Sequence, residues 1–380
     1  MTPPLAAEEL ELDMLQADAN SAIRAFLAFR ANPERGAYAF ACFPTSVFVA
    51  EEAHNYFARR RRHARIGSLD GPLFDAFGRS IKKVRAHVKL MDDTDTGAEA
   101  LRSLMTLVQT RSRTLFAHPH NRFVQALSRH FRPDLGAYFI GEQLVATTHT
   151  VIPTLGVSSA ILRTLGPGDF DAIGRFTYEF SLNLGKFFAQ LGRVLATHGR
   201  ALTLQPPNLD VTVGVTRNDF VGARFYRHAA QVLKDARPDA IPLLTVCLAQ
   251  TNQALLLLPT LLGADSSLLF RFQFLTAYHA TATIRASLAS PPSWLRQSTH
   301  DPLTNRPLRN LLAHYELLGA DKFATSSDPL GSAVAGLAGV DAARVGAEAR
   351  ERLLRISETL GTGLTKTSLT PVRALLGEHT

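Results

Sequence analysis

The chain has 380 residues, 46% hydrophobic and 19% charged, which excludes a disordered polypeptide and allows one large core or two ordinary ones. Its two cysteines, Cys42 and Cys247, exclude a disulfide framework and a four-cysteine zinc site and point to a reducing, cytoplasmic setting. Net charge is +8, nearly all from arginine (34 Arg, 7 Lys); this favours a polyanionic partner, although charge by itself defines no site. The N-terminal MTPPLAAEELELDML has no basic segment before an apolar run, so no secretory leader is expected. Glu8, Glu9, Glu11 and Asp13 favour the start of a helix over 5–31. A second helix is expected over 46–66, ending in the basic run ARRRRHAR. Arg60 and Arg61 in that run are candidate phosphate contacts; the competing reading is a solvated charged face with Glu51 and Glu52 as partners on the same helix.

Further helices are expected over 71–90, 97–118, 121–131, 135–150 and 169–199. The Gly- and Pro-rich break LGPGDF divides the chain into an N-terminal helical region, 1–165, a helical bundle, 170–365, and a tail, 366–380. Asp169 is placed to cap the helix that follows the break. LDVTVGVT, with Val211, Val213 and Val215 alternating, is the one strand-like segment. Helices resume over 217–236, 241–262 and 266–289. The uncharged stretches 143–162 and 241–264 are long enough to approach a membrane span. The first contains His149, Pro153 and Gly156, and the second carries Gln250, Thr251, Asn252 and Gln253 at its centre, so both are expected as buried helices. A Pro-rich connector, in which Asp301 is placed to cap a turn, leads to a helix over 306–318 with Pro307 in its first turn and Gly319 as its stop. FATSSDPLGSAVAGLAG is expected as a loop, and 341–360 as an exposed amphipathic helix. The expected fold is all-α, one or more antiparallel multi-helix bundles with at most one short strand-like segment.

The stretch LTNRPLRNLLAHYELLG concentrates the chemistry. On a helix, Leu308, Leu311, Leu312, Tyr315 and Leu318 form an apolar stripe, while Arg306, Asn310 and His314 recur every four residues on another face. The string R-N-L-L-A-H-Y resembles the hallmark of the HEPN superfamily, in which an arginine, usually followed by a polar residue, shortly precedes a histidine. Arg309, Asn310 and His314 hold those positions, and the resemblance covers this motif and its helical setting within 170–365. It implies a metal-independent endoribonuclease or RNA-binding effector of toxin or phage-defence type, without a cofactor. A homodimer with motifs meeting at its interface, and an antitoxin-type partner, are also implied. The residue types suit that chemistry, because RNA brings its own nucleophile, the 2′-OH. His314 would move protons, Arg309 would stabilise phosphate charge, Asn310 would position, and Arg306 would add a phosphate contact. Arg113 to His118 is a second match, with Thr114 at the polar position and Pro119 directly after the histidine; it would supply a second motif copy within the chain.

Other signatures are missing. There is no phosphate-binding G-x-x-x-x-G-K-[ST] loop, no dinucleotide fingerprint and no nucleophile elbow. The histidines show no H-E-x-x-H or other metal-ligand spacing, so no metal is expected. Two alternatives stand beside the RNA reading: a non-catalytic helical scaffold, and an all-α enzyme whose small hydrophobic substrate lies among some of the 23 Phe.

Overall fold

LGAYFIGEQLVAT folds as a hairpin, not as the helix expected over 135–150. The computed structural model describes residues 5–31, 36–60, 72–88, 102–111, 133–157, 159–166, 169–203, 214–295, 301–315, 328–364 and 372–376. In it, β1 (Leu135–Ile140) and β2 (Gln143–Thr147) pair antiparallel, with Ala137 opposite Thr147 and Ile140 opposite Gln143. Aromatic and apolar residues on either side of a Gly-X turn outweigh helical periodicity here. Gly141 sits at φ +57°, in the left-handed region such tight turns require. β3 (Val215–Phe220) joins the other side of β1, giving the order β2-β1-β3. Val215 of the strand-like segment therefore does enter a strand, whereas Val211 and Val213 lie outside the described residues. The fold is mainly α with a small three-stranded antiparallel sheet, which corrects the expectation of at most one strand.

The helices are α1 (Leu5–Ala31), α2 (Gly36–Arg60), α3 (Pro72–Val88), α4 (Thr148–Thr154), α5 (Ser159–Thr164), α6 (Phe170–Thr197), α7 (Gly222–Val232), α8 (Ile241–Asn252), α9 (Leu258–Leu262), α10 (Ser267–Ser287), α11 (Arg306–Ala313), α12 (Pro329–Ala338), α13 (Ala342–Leu364) and α14 (Val372–Leu375). A further helical stretch covers 102–111. Leu15 of α1, Phe48 of α2, Phe180 of α6, Phe274 of α10, Leu312 of α11 and Leu353 of α13 belong to one buried cluster, so helices on both sides of the LGPGDF break share a core. Asp169 stands at the N-terminus of α6 without capping it; its carboxylate instead accepts from Gly166 N at 2.6 Å.

The long apolar segment Pro238–Leu262 is 89% buried over its most apolar window. It runs through α8, a π-turn (Gln253–Leu257) and α9. Its central amides bond protein backbone: Asn252 Nδ2 donates to Leu144 O at 2.8 Å, Gln253 Nε2 to Val145 O at 2.7 Å and Gln250 Nε2 to His87 O at 3.0 Å. The polar run in this segment therefore ties α8 to β2 and to α3. Asp301 caps the turn Pro302–Thr304 by accepting from Leu303 N at 2.9 Å. Two C-terminal expectations change. The loop expected after the motif contains α12, opened by the Asp328 side chain on Gly331 N at 2.9 Å and closed by Gly339 at φ +70°. α13 is not simply exposed, since Val345, Ala349, Leu353, Ile356 and Leu360 are buried and the helix packs on α8 and α10.

Candidate functional site

Asn305 opens α11 by accepting from Leu308 N at 2.9 Å, and Pro307 lies in the first turn, where its missing N–H costs nothing. The helix ends at Ala313, short of the expected Leu318. His314 is extended, at φ −133° and ψ 164°. The expected face of Arg306, Asn310 and His314 therefore does not form. Arg306 is exposed near the helix start, Asn310 is half-buried and His314 lies beyond the last turn. Gly319 lies outside the described residues.

Two arginines account for the early end. Arg271 of α10 donates from Nε to Leu312 O at 2.7 Å and from Nη2 to His314 O at 3.3 Å. Arg85 of α3 donates from Nη2 to Ala313 O at 3.3 Å. The carbonyls a helix leaves unpaired at its C-terminus are thus met by cations, which also suit the negative end of its dipole.

Both guanidiniums are themselves anchored. Arg271 is fully buried and pairs with Asp18 of α1. Asp18 also accepts from Ser267 Oγ at 2.6 Å and from Tyr315 Oη at 3.0 Å. The Tyr315 ring lies 4.5 Å from the Arg271 guanidinium. Burial opposes the charge of Arg271, but Asp18 and Tyr315 more than offset it and raise its pKa. Burial and the Asp18 carboxylate push the Tyr315 phenol well above its ordinary value. Arg85 pairs with Glu52 of α2 and reaches Glu51 at 3.5 Å. Burial lowers its pKa; Glu51 opposes this, and Arg271 and Arg309 add to it.

Glu52 faces two ways. One oxygen meets Arg85, and the other accepts from His314 Nδ1 at 2.8 Å. The Glu52 side chain is 1% exposed, while that of His314 is 34% exposed. A buried carboxylate therefore orients an imidazole at the edge of the protein. Arg309 is buried, with its guanidinium 5.7 Å from the Tyr278 ring. Beside Glu51 opens a cavity of about 790 Å³ lined also by His54, Asp75, Arg79, Lys82 and Lys83; His314 is not among its walls.

Of the expected site, the structure brings His314 into a polar cluster and places Arg309 in the interior nearby. Arg61, Arg113 and His118 lie outside the described residues, as does the side chain of Arg60. Among the described residues no three His, Cys, Asp or Glu side chains converge as metal ligands would. The residues missed from sequence are Asp18, Glu52, Arg85 and Arg271. A signal existed for two of them. Glu52 interrupts the stripe formed by Phe48 and Tyr56, and Asp18 that of Leu15 and Ala22; a charge on an apolar stripe needs a buried partner. Glu52, expected to balance the arginine run on its own helix, faces Arg85 and His314. No protein-family model, curated protein or solved structure matches the chain.

Proposed function

We propose that the chain acts on RNA, as a cytoplasmic, metal-independent endoribonuclease or RNA-binding effector of toxin or defence type, with His314 at its centre. The HEPN-like motif in 170–365 is the frame of this reading, and the His314–Glu52 pair is the observation that supports it most. The carboxylate accepts from Nδ1 at 2.8 Å and so favours one tautomer, with Nε2 directed away from Glu52. A ring held this way suits proton transfer with a ribose 2′-OH. In the step proposed, the 2′-oxygen bonds to the adjacent phosphorus as its proton passes to His314. The bond from phosphorus to the 5′-oxygen breaks, and that oxygen takes up a proton. The products are a 2′,3′-cyclic phosphate and a 5′-hydroxyl. Arg306 contacts phosphate at the surface, Asn310 positions the group, and Arg309 contributes positive charge from beneath.

The test is cleavage of end-labelled RNA by the full chain in a chelator. The parent should cut, and His314→Ala should slow cutting by roughly 10²–10⁴ with its thermal melt retained. Glu52→Gln should slow it less. A parent that neither cuts nor retains RNA, or a His314→Ala variant as active as the parent, refutes the reading.

A non-catalytic helical interaction protein is the second reading, favoured by the burial of Arg309 and by the structural duty of Arg271 at the end of α11. It expects no cleavage by the parent, and a His314→Ala variant changed only in stability.

A further inference from the structure

Two of the largest exposed apolar side chains among the described residues stand one turn apart on α6: Tyr178 is 70% exposed and Leu182 is 48% exposed. The same face continues through exposed Gly185 and Ala189. Beside it lies an open apolar groove of about 540 Å³, walled by Phe26 and Leu27 of α1 and by Phe188 of α6, with Gly185 on its margin. A Cβ at Gly185 would meet nothing within 4 Å. A contiguous exposed apolar patch on a monomer is often functional.

The charges along this helix identify the partner. Glu179, Lys186 and Arg193 recur every seven residues, so they share one edge of the apolar face, and Asp171 lies near its start. All four are exposed, and none makes an ion pair among the described residues. Now place a second copy of α6 antiparallel to the first, with the two-fold axis at Leu182. Such an axis keeps like edges together. Glu179 then faces Lys186 of the second copy. On the opposite edge, the Tyr178 ring falls over Gly185 of the second copy, at the mouth of the groove. Every contact occurs twice, as a two-fold interface requires. A parallel pairing in register would instead set Lys186 against Lys186 and Arg193 against Arg193.

We infer that the exposed face of α6 is the homodimer interface of this chain, formed by antiparallel self-association about Leu182. The inference stands apart from the RNA reading, because neither His314 nor Arg309 takes part in it.

Sedimentation velocity over a concentration series tests it with the full chain. The parent should be a reversible dimer, and Leu182→Arg should be monomeric with an unchanged circular dichroism melt. Glu179→Lys alone and Lys186→Glu alone should each weaken the dimer by about tenfold, since each sets like charges together at two places. The double swap should return affinity to within about threefold of the parent, because it rebuilds both pairs in reverse. A parent that stays monomeric overturns the inference, as does a dimer indifferent to Leu182→Arg or a double swap that fails to restore association.

Discussion

Arg271 shows what one buried charge can hold together. It joins Asp18 on α1, Phe48 on α2 and the carbonyls of Leu312 and His314, and it is wholly shielded from solvent. Removing one member of such a pair strands the other without water. Arg271→Leu should cost about 3–5 kcal/mol in urea unfolding. Asp18→Leu should cost a similar amount, and the double variant less than the two together, because it leaves neither charge orphaned. An additive double variant would mean that the two side chains act independently.

The amides of α8 and the π-turn show the same economy between elements. Asn252 receives a bond from Ser357 Oγ at 2.6 Å and gives one to Leu144 O at 2.8 Å, so it links α13 to β2. Asn252→Leu should lower stability by about 1–3 kcal/mol through unpaired buried groups, read as a shift in the urea midpoint at constant slope. At this scale the sequence was most legible where periodicity ran long. α1, α3, α6 and α10 lie within a few residues of their expected bounds, and the helix expected over 241–262 is made by α8, the π-turn and α9 in succession. The hairpin escaped because β1 and β2 are short and largely buried on both sides, so they lack the alternation that marks a half-buried strand. The end of α11 escaped for another reason. Arg85 and Arg271, which terminate it, are remote in sequence, and local spacing carries no trace of them. The early stop also separates His314 from the helical face that the four-residue spacing had implied.

The whole molecule carries a built-in sensitivity to acid. His87 is buried, its Nδ1 donates to Pro153 O at 2.6 Å, and burial lowers its pKa to about 4 despite that bond. His149 is buried between Tyr226 and the Asp134 carbonyl, and burial lowers its pKa to about 4 against the pull of Asp134. Both rings are neutral in the fold, while the unfolded chain binds their protons below the ordinary histidine value of 6.5. The stability linked to these two rings is therefore complete above pH 6.5 and falls as pH drops toward 4, by up to about 3 kcal/mol for each ring. Melting temperatures from pH 7 to pH 4.5 should decline less steeply in a His87→Gln/His149→Gln variant than in the parent. Equal slopes in the two proteins would show that these rings do not drive the loss.

The clasp on α11 also fixes when its chemistry can exist. Glu52 and His314 stand 262 positions apart, and Asp18 and Arg271 stand 253 apart. An eight-residue helix has little tendency to persist alone in water. A nascent chain that has just extruded the motif would hold it as loose coil, its imidazole drifting without a carboxylate to steer it. The pairing arises only when early and late parts of the polypeptide close on each other, so any reactivity it confers is withheld until folding is nearly done.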